Sequence, residues 1–245
     1  MISGKLARDT RLPLYQQLHD EMVEKISAGE WRPDQAIPTE AELTKLYGMA
    51  IGTVRKAVDV LVAEGLLERN QGRGTFVRRP SFDASLFRFF RHMTTQGSRQ
   101  VPQGRVTERE LSLAPAHVAA ALGLADQAQA IRLARLRLIN AQVVLSEEIW
   151  LPQPLFSPLL TIELADFDDL LYPLYESRCG QAIASAKETL TVESASPEVA
   201  TNLGISEGAP VVVIERLALG FDRKPLEWRR SHGAADSFRY QVDIC

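Results

Sequence analysis

Arg135 and Arg137 stand two residues apart in the run Ala130 to Ile139, which reads AIRLARLRLI. Its alternation of apolar and polar residues is that of a β-strand. Alternate residues of a strand share a face, so the two guanidiniums lie side by side, and burying them together is costly unless an anion is shared between them. A carboxylate or a phosphate offers the bidentate geometry that Arg favours. Glu147, on the following apolar run, can accept from a hydroxyl or an amine of the same ligand. The competing arrangement is an internal Arg–Glu ion pair on the outer face of a sheet. A second set lies nearer the other end of the chain: Thr53, Arg55 and Lys56 on a short helical pattern, then Arg73, Gly74 and Thr75 at a Gly-rich turn. On an arbitrary helix such charges are solvated surface. A basic ridge beside an Arg-tipped hairpin instead suits the grooves of double-stranded DNA.

The elements that carry this second set occupy Pro13 to Val77. Leu14, Leu18, Met22 and Ile26 recur every four residues, lining one helical face and leaving Gln16, Gln17, Asp20 and Glu24 to solvent; the pattern stops at Gly29. Thr39 followed by Glu42 has capping-box spacing, and Leu43 and Leu46 then point inward. A third helix, from about Gly52 to Glu64, turns Val54, Ala57, Val58 and Leu61 inward and Arg55, Lys56 and Asp59 outward, until Gly65 ends it. Leu66 to Arg69 and Gly74 to Val77 form two short strands around the turn Asn70-Gln71-Gly72-Arg73. Helix-turn-helix and wing together predict a DNA-binding head.

These residues resemble the winged-helix domain of the GntR family of bacterial transcription regulators. The match runs through Pro13-Leu14-Tyr15, Ile37-Pro38-Thr39-Glu40, Tyr47-Gly48, Thr53-Val54-Arg55, Gly65-Leu66 and the wing Gly72-Arg73-Gly74-Thr75-Phe76-Val77. It implies that Thr39, Thr53, Arg55, Lys56, Arg73, Gly74 and Thr75 meet DNA. The chain departs from the family at Met49-Ala50-Ile51, where Val-Ser-Arg is usual. Ala50 forgoes an N-cap on the order of 1 kcal/mol, Ile51 forgoes a charge, and Thr53 is placed to cap one turn later.

A chain of 245 residues exceeds the needs of one winged helix and leaves enough to bury a second core. The net charge is −3, but up to Arg79 there are 12 Lys and Arg against 11 Asp and Glu. So small a positive excess predicts that one head binds weakly and that the working unit is a homodimer on an inverted repeat. Cys179 and Cys245 form no CxxC pair, and His19, His92, His117 and His232 are scattered, so no metal site or cofactor is expected. The absence of an apolar run near ~18 residues, and of a signal-peptide core at the start, predicts a cytoplasmic protein without a membrane partner.

Arg78-Arg79-Pro80-Ser81 reads as a linker, and Leu86 to Phe90 as an aromatic-rich strand or amphipathic piece. Beyond it lies a near-repeat offset by 81 residues. Leu122-Gly123-Leu124 and Arg135-Leu136 recur as Leu203-Gly204-Ile205 and Arg216-Leu217, and each copy continues through a turn to a strand bearing Glu147 or Glu227. Two such helix-strand-turn-strand units predict one antiparallel sheet with helices on one side. The expected divisions are residues 8–79 for the DNA-binding domain, 80–104 for the joint and 105–245 for the sheet domain.

This second part, from about Ser85 to Tyr240, resembles the UTRA domain of the HutC-like GntR regulators through Leu122-Gly123-Leu124, Arg135-Leu136-Arg137, Glu147, Leu151-Pro152, Leu203-Gly204-Ile205, Pro225-Leu226-Glu227 and Asp236 with Phe238. The resemblance implies an α+β chain: a winged helix-turn-helix joined to an antiparallel sheet of chorismate-lyase-like fold. It further implies that the domain binds a small metabolite through Arg88, Arg135, Arg137, Glu147, Tyr172 and Glu227. Relatives that hold sugar phosphates use small hydroxyl residues with a Tyr. Here the Tyr corresponds to Tyr172, but Leu170 and Arg88 replace the hydroxyls, which shifts the expectation toward a carboxylate while leaving a phosphorylated metabolite open. The function implied is a ligand-responsive transcription regulator, expected to repress. The alternative is an enzyme acting on a small carboxylate, for which Glu147, Glu227, His232 and Asp236 are candidates; no nucleophile motif or phosphate-cradling Gly loop supports it.

Overall fold

The computed structural model describes residues 11–33, 35–78 and 102–238, which fall into two compact units. The linker from Arg79, the aromatic segment with Arg88, His92 and Cys245 lie outside the described residues.

The first unit contains α1 (Leu14–Ser27), α2 (Glu40–Tyr47), α3 (Ile51–Ala63) and the hairpin β1 (Leu67–Asn70) and β2 (Gly74–Val77). Its core joins Leu18, Met22 and Ile26 of α1 to Leu43 of α2 and Val54, Ala57, Val58 and Leu61 of α3. The capping box of α2 is complete: Glu42 N donates to Thr39 Oγ1 and Thr39 N to Glu42 Oε2. Ala36 and Ile37 add to the wing, with Ile37 N donating to the Thr75 carbonyl at 2.8 Å.

Four local expectations are corrected. Leu14, the first residue of its helix, is 53% exposed, and Gln17 is buried instead, its amide donating to the Leu12 carbonyl. Leu46 is 55% exposed; the inward pair of α2 is Leu43 with Tyr47, four residues apart, as one narrow contact on a two-turn helix requires. Helix α3 begins at Ile51, with Ala50 as an N-cap that accepts no side-chain bond; Thr53 lies inside the helix and caps nothing. The first wing strand starts at Leu67, one residue later than expected.

The second unit is a six-stranded sheet in the order β3-β4-β5-β8-β7-β6. The strands are β3 (Gln103–Leu113), β4 (Gln129–Ile139), β5 (Gln142–Pro152), β6 (Ile183–Ser194), β7 (Pro210–Gly220) and β8 (Pro225–Ala234). Helices α4 (Ala116–Leu122) and α7 (Pro197–Leu203) stand at repeat-equivalent places, each closed by a left-handed Gly, Gly123 or Gly204. Val118 and Leu122 of α4 pack with Trp150 and Trp228, and Ala200 of α7 with Val211 and Val213, all on one face of the sheet.

The other face is not open, as helices on one side had implied. The segment between the repeats folds into α5 (Gln153–Phe156), two short 3-10 turns and α6 (Leu171–Cys179), and covers that face through Phe156, Leu159, Leu174 and Tyr175 against Ile131, Leu133, Ile149 and Leu151. The repeat extends to a β-bulge in both hairpins, between Arg137 and Leu138 and between Ala218 and Leu219, 81 residues apart. Past the turns the offset slips by one. Arg135 faces Glu147 across its hairpin, whereas Arg216 faces Arg229, so the residue equivalent to Glu147 is Arg229 and not Glu227.

Candidate functional site

On the first unit, α3 presents Ile51, Arg55 and Asp59 at successive four-residue steps along an exposed ridge. Arg55 is anchored at one end only: its Nε donates to Glu40 Oε2 at 3.0 Å. Glu40 Oε1 accepts from Arg69 Nη2 of the wing at 3.1 Å, and Arg69 Nη1 meets Asp59 at 2.6 Å. Helix and wing are thus joined by alternating charge. Lys56 is exposed beside the ridge, its Nζ lying 3.9 Å from the centre of the Tyr15 ring. Arg73 is exposed at the wing tip between Gly72 and Gly74, both at positive φ, as the tight turn requires. The Thr39 hydroxyl is engaged in its capping box, donating to Glu42 Oε2 at 2.8 Å.

On the second unit, the strand face beneath α6 carries a charged cluster inside an apolar rim. Alternation along β4, β5 and β8 places Arg135, Arg137, Glu147, Glu227, Arg229 and Ser231 on this one face, and each is at most 5% exposed. Glu147 accepts from Ser231 Oγ at 3.1 Å and from Arg135 and Arg229 at 3.4 Å. Glu227 accepts from Arg229 at 2.7 Å, Tyr175 at 2.8 Å and Tyr172 at 3.0 Å. The Tyr172 hydroxyl in turn accepts from Arg216 Nη1 at 3.2 Å, and Arg216 Nε donates to Glu188 at 2.7 Å.

The charges do not balance evenly across this cluster. Among the described residues the buried cations are Arg135, Arg137, Arg216 and Arg229, against the buried carboxylates Glu147 and Glu227. Burial would raise the Glu147 carboxyl, but Arg229, then Arg135 and Arg137, hold it down to about 2. Burial likewise would lower Arg229, and Glu227 with Glu147 drives it well above its ordinary value. Arg135 goes the opposite way, lowered by burial and by the nearby Arg229, with Glu147 its one carboxylate ion pair among the described residues. Arg137 has no carboxylate ion pair among the described residues, and burial, with Arg135 beside it, takes it down to about 10. Tyr172 is pushed up to about 12 by burial and by Glu227, so it remains a neutral donor.

The Arg135 and Arg137 end is closed by main chain. Arg135 Nη2 and Arg137 Nη1 both donate to the carbonyl of Asp169, the second at 2.8 Å. Even so, Arg137 Nε and Nη2, Arg135 Nε and Arg229 Nε are buried without an acceptor among the described residues. Orphaned buried donors are rare and each costs on the order of 1 to 3 kcal/mol. The Asp169 side chain accepts from Gly104 N at 2.7 Å, tying its loop to the start of β3. Beside this contact lies a cleft of 460 Å³ walled by residues 103–106, Leu138, Leu164, Phe167 and Asp169.

Of the effector-site residues expected from sequence, Arg135, Arg137, Glu147, Tyr172 and Glu227 meet in this one cluster, with Tyr172 reaching it from α6; Arg88 lies outside the described residues. Glu147 is ion-paired to Arg135, as the competing arrangement expected, but on a covered face rather than an outer one. The sequence reading missed Arg229, Arg216, Ser231, Tyr175, Glu188, Asp169 and Gly104. The alternation Glu227-x-Arg229-x-Ser231 along β8, and the equivalence of Arg216 to Arg135, were the traces that could have pointed to three of them.

Comparison with known proteins follows the same division. The gntR family of bacterial regulatory proteins matches residues 14–77, and the UTRA domain family matches residues 97–239. The HTH-type transcriptional repressor NagR of Bacillus subtilis is 32% identical over 212 residues, covering 85% of each chain. The mannosyl-D-glycerate transport/metabolism system repressor MngR of Escherichia coli is 27% identical over 244 residues, 94% of this chain and 95% of its own. PhnF of Mycobacterium smegmatis, a solved structure, has a TM-score of 0.54 over 95% of this chain and 99% of its own; at 23% identity the likeness is one of fold. Among the described residues no helix is long and apolar enough to cross a membrane.

Proposed function

Since this chain belongs to the GntR family of bacterial transcription regulators and carries a UTRA effector domain, we propose that it is a repressor released or engaged by a small acidic metabolite held between Arg135 and Arg137. Its relatives are named as transcriptional repressors, which sets the enzymatic alternative aside. Residues 8–79 act as the DNA head, 80–104 as the joint and 105–245 as the effector domain. The working unit is a cytoplasmic homodimer on an inverted-repeat operator, with Thr53, Arg55, Lys56, Arg73, Gly74 and Thr75 at the DNA and Thr39 holding the preceding helix in place.

The observation that carries the effector reading is the set of buried guanidinium N–H groups around Arg137 that lack an acceptor among the described residues. A carboxylate or a phosphate entering there supplies two or three oxygens and offsets the surplus of buried positive charge. The Asp169 carbonyl, which accepts from both arginines, occupies the position such an oxygen would take. Glu147, Glu227 and Tyr172 then face the remainder of the ligand and suit hydroxyl or amine groups. That MngR represses a system for a mannosyl-glycerate, itself a carboxylic acid, accords with this class. Arg88 is expected to complete the anion's surroundings from the joint.

The test is a thermal-shift screen of the full chain against sugar acids, sugar phosphates and simple carboxylates, followed by anisotropy titration of operator DNA with any hit. Stabilisation by an acidic compound that also changes operator affinity supports the proposal. A neutral effector acting as strongly in both assays would overturn it.

A further inference from the structure

The start of α3 exposes apolar side chain where a reading helix meets base edges. Ile51, the first residue of α3, is 46% exposed. Its neighbours Ala50 and Gly52 are exposed too, and neither brings a polar side chain; a Cβ added at Gly52 would meet nothing within 4 Å. The turn that enters the major groove first in a helix-turn-helix is therefore open and uncharged. The side chains of Ala50, Ile51 and Gly52 offer no hydrogen bond to a base edge. The apolar feature of the major groove is the C5-methyl group of thymine.

Arg55, one turn along the same ridge, has the complementary chemistry. Glu40 holds it by Nε, and its two terminal nitrogens make no hydrogen bond among the described residues. Those are the two donors that pair with O6 and N7 of guanine. Four residues of helix rise about 6 Å, close to two steps of about 3.4 Å in DNA. Resting on the DNA-binding reading above, we infer that Ile51 is a specificity-determining residue of the operator complex. Its side chain packs on the methyl group of a thymine about two base pairs from the guanine read by Arg55.

The experiment begins with selection of operator duplexes from a random pool by the full-length protein. Each thymine of the selected half-site is then replaced by deoxyuridine, which removes the methyl group and leaves every hydrogen-bonding edge intact. One thymine per half-site, about two base pairs from an essential guanine, should weaken binding by about fourfold when demethylated, the worth of one buried carbon. Ile51→Ala should lose about as much on the thymine duplex and become insensitive to the exchange; as an exposed residue it should leave the melting temperature unchanged. Indifference to deoxyuridine at every thymine, or equal sensitivity in parent and Ile51→Ala, overturns the inference. Arg55→Ala separates the two levels. If it weakens binding while deoxyuridine does nothing, only the role of Ile51 falls; if it binds as tightly as the parent, the reading helix itself is misassigned and the inference falls with it.

Discussion

The guanidinium of Arg135 rests directly on the α-carbon of Gly104. A methyl group built at Gly104 would overlap Nη2 outright and stand 2.8 Å from both Cζ and Nε of the arginine. The absence of a side chain at Gly104 of β3 is what allows Arg135 to lie beneath Asp169. Gly104→Ala is therefore expected to displace Arg135 and weaken effector binding by tenfold or more, at an overpacking cost of about 1 to 3 kcal/mol. Calorimetric titration with the effector, beside operator anisotropy, checks this: operator affinity should hold while effector affinity falls.

Arg135→Ala should bind operator and stop responding to effector. Coupling between the two ligands is reciprocal and typically about 1 to 3 kcal/mol, so the parent's effector affinity should shift on adding operator and the mutant's should not. A mutant that responds like the parent removes the arginine pair from the pocket.

Effector binding should also loosen the Asp169 loop. If the anion takes over the N–H groups of Arg135 and Arg137, their bonds to the Asp169 carbonyl are released. Amide exchange in residues 164–170 should then rise on ligand addition while β4 and β5 become better protected. Uniform protection of all three would argue against displacement of the carbonyl.

Glu147 makes stability depend on acid. Its carboxyl is held near 2 in the fold, below the 4.5 of the free group, so the stabilisation is fully present above pH 4.5 and is lost as pH falls from there toward 2. On the order of 3 kcal/mol is at stake. Urea unfolding of parent and Glu147→Gln should show a stability gap that is constant from pH 7 to about 5 and narrows below 4.5. A gap independent of pH down to 3 would mean that Glu147 is not held ionised by its arginines.

Glu40→Gln should act on discrimination more than on stability. Exposed ion pairs are worth roughly 0.2 to 1 kcal/mol, so melting should barely move, while a freed Arg55 loses up to about fivefold of its preference at the guanine position. Competition anisotropy with single-base operator variants measures the difference.

Much of this was legible because local chemistry and tertiary structure agreed. Thr39 and Glu42 need only each other to cap α2, and the alternation from Ile131 to Arg137 carries its own facing. Leu46 and Leu14 misled because periodicity identifies a stripe without saying where the neighbouring element ends. Residues 153–179 were opaque for another reason: broken by Pro154 and Pro158 into pieces of one or two turns, they show no sustained period, yet they supply Tyr172, Tyr175 and Asp169. Arg229 was hidden by arithmetic. One extra residue in the second hairpin turn slides β8 against the repeat, so Glu227 looked like the counterpart of Glu147 when Arg229 is.

The pairing of β5 with β8, from Ser146 opposite His232 to Trp150 opposite Trp228, is where the two halves of the duplicated sheet are stitched together. Glu147 belongs to one half, and the Arg229 and Ser231 that bind it belong to the other. Duplication by itself would have produced two interchangeable halves, each as ready to join a copy of itself as its neighbour. With a carboxylate on one margin and a guanidinium at the equivalent place on the other, like halves repel and unlike halves attract. The charge pair across this suture therefore favours joining one half to the other over joining either half to a copy of itself.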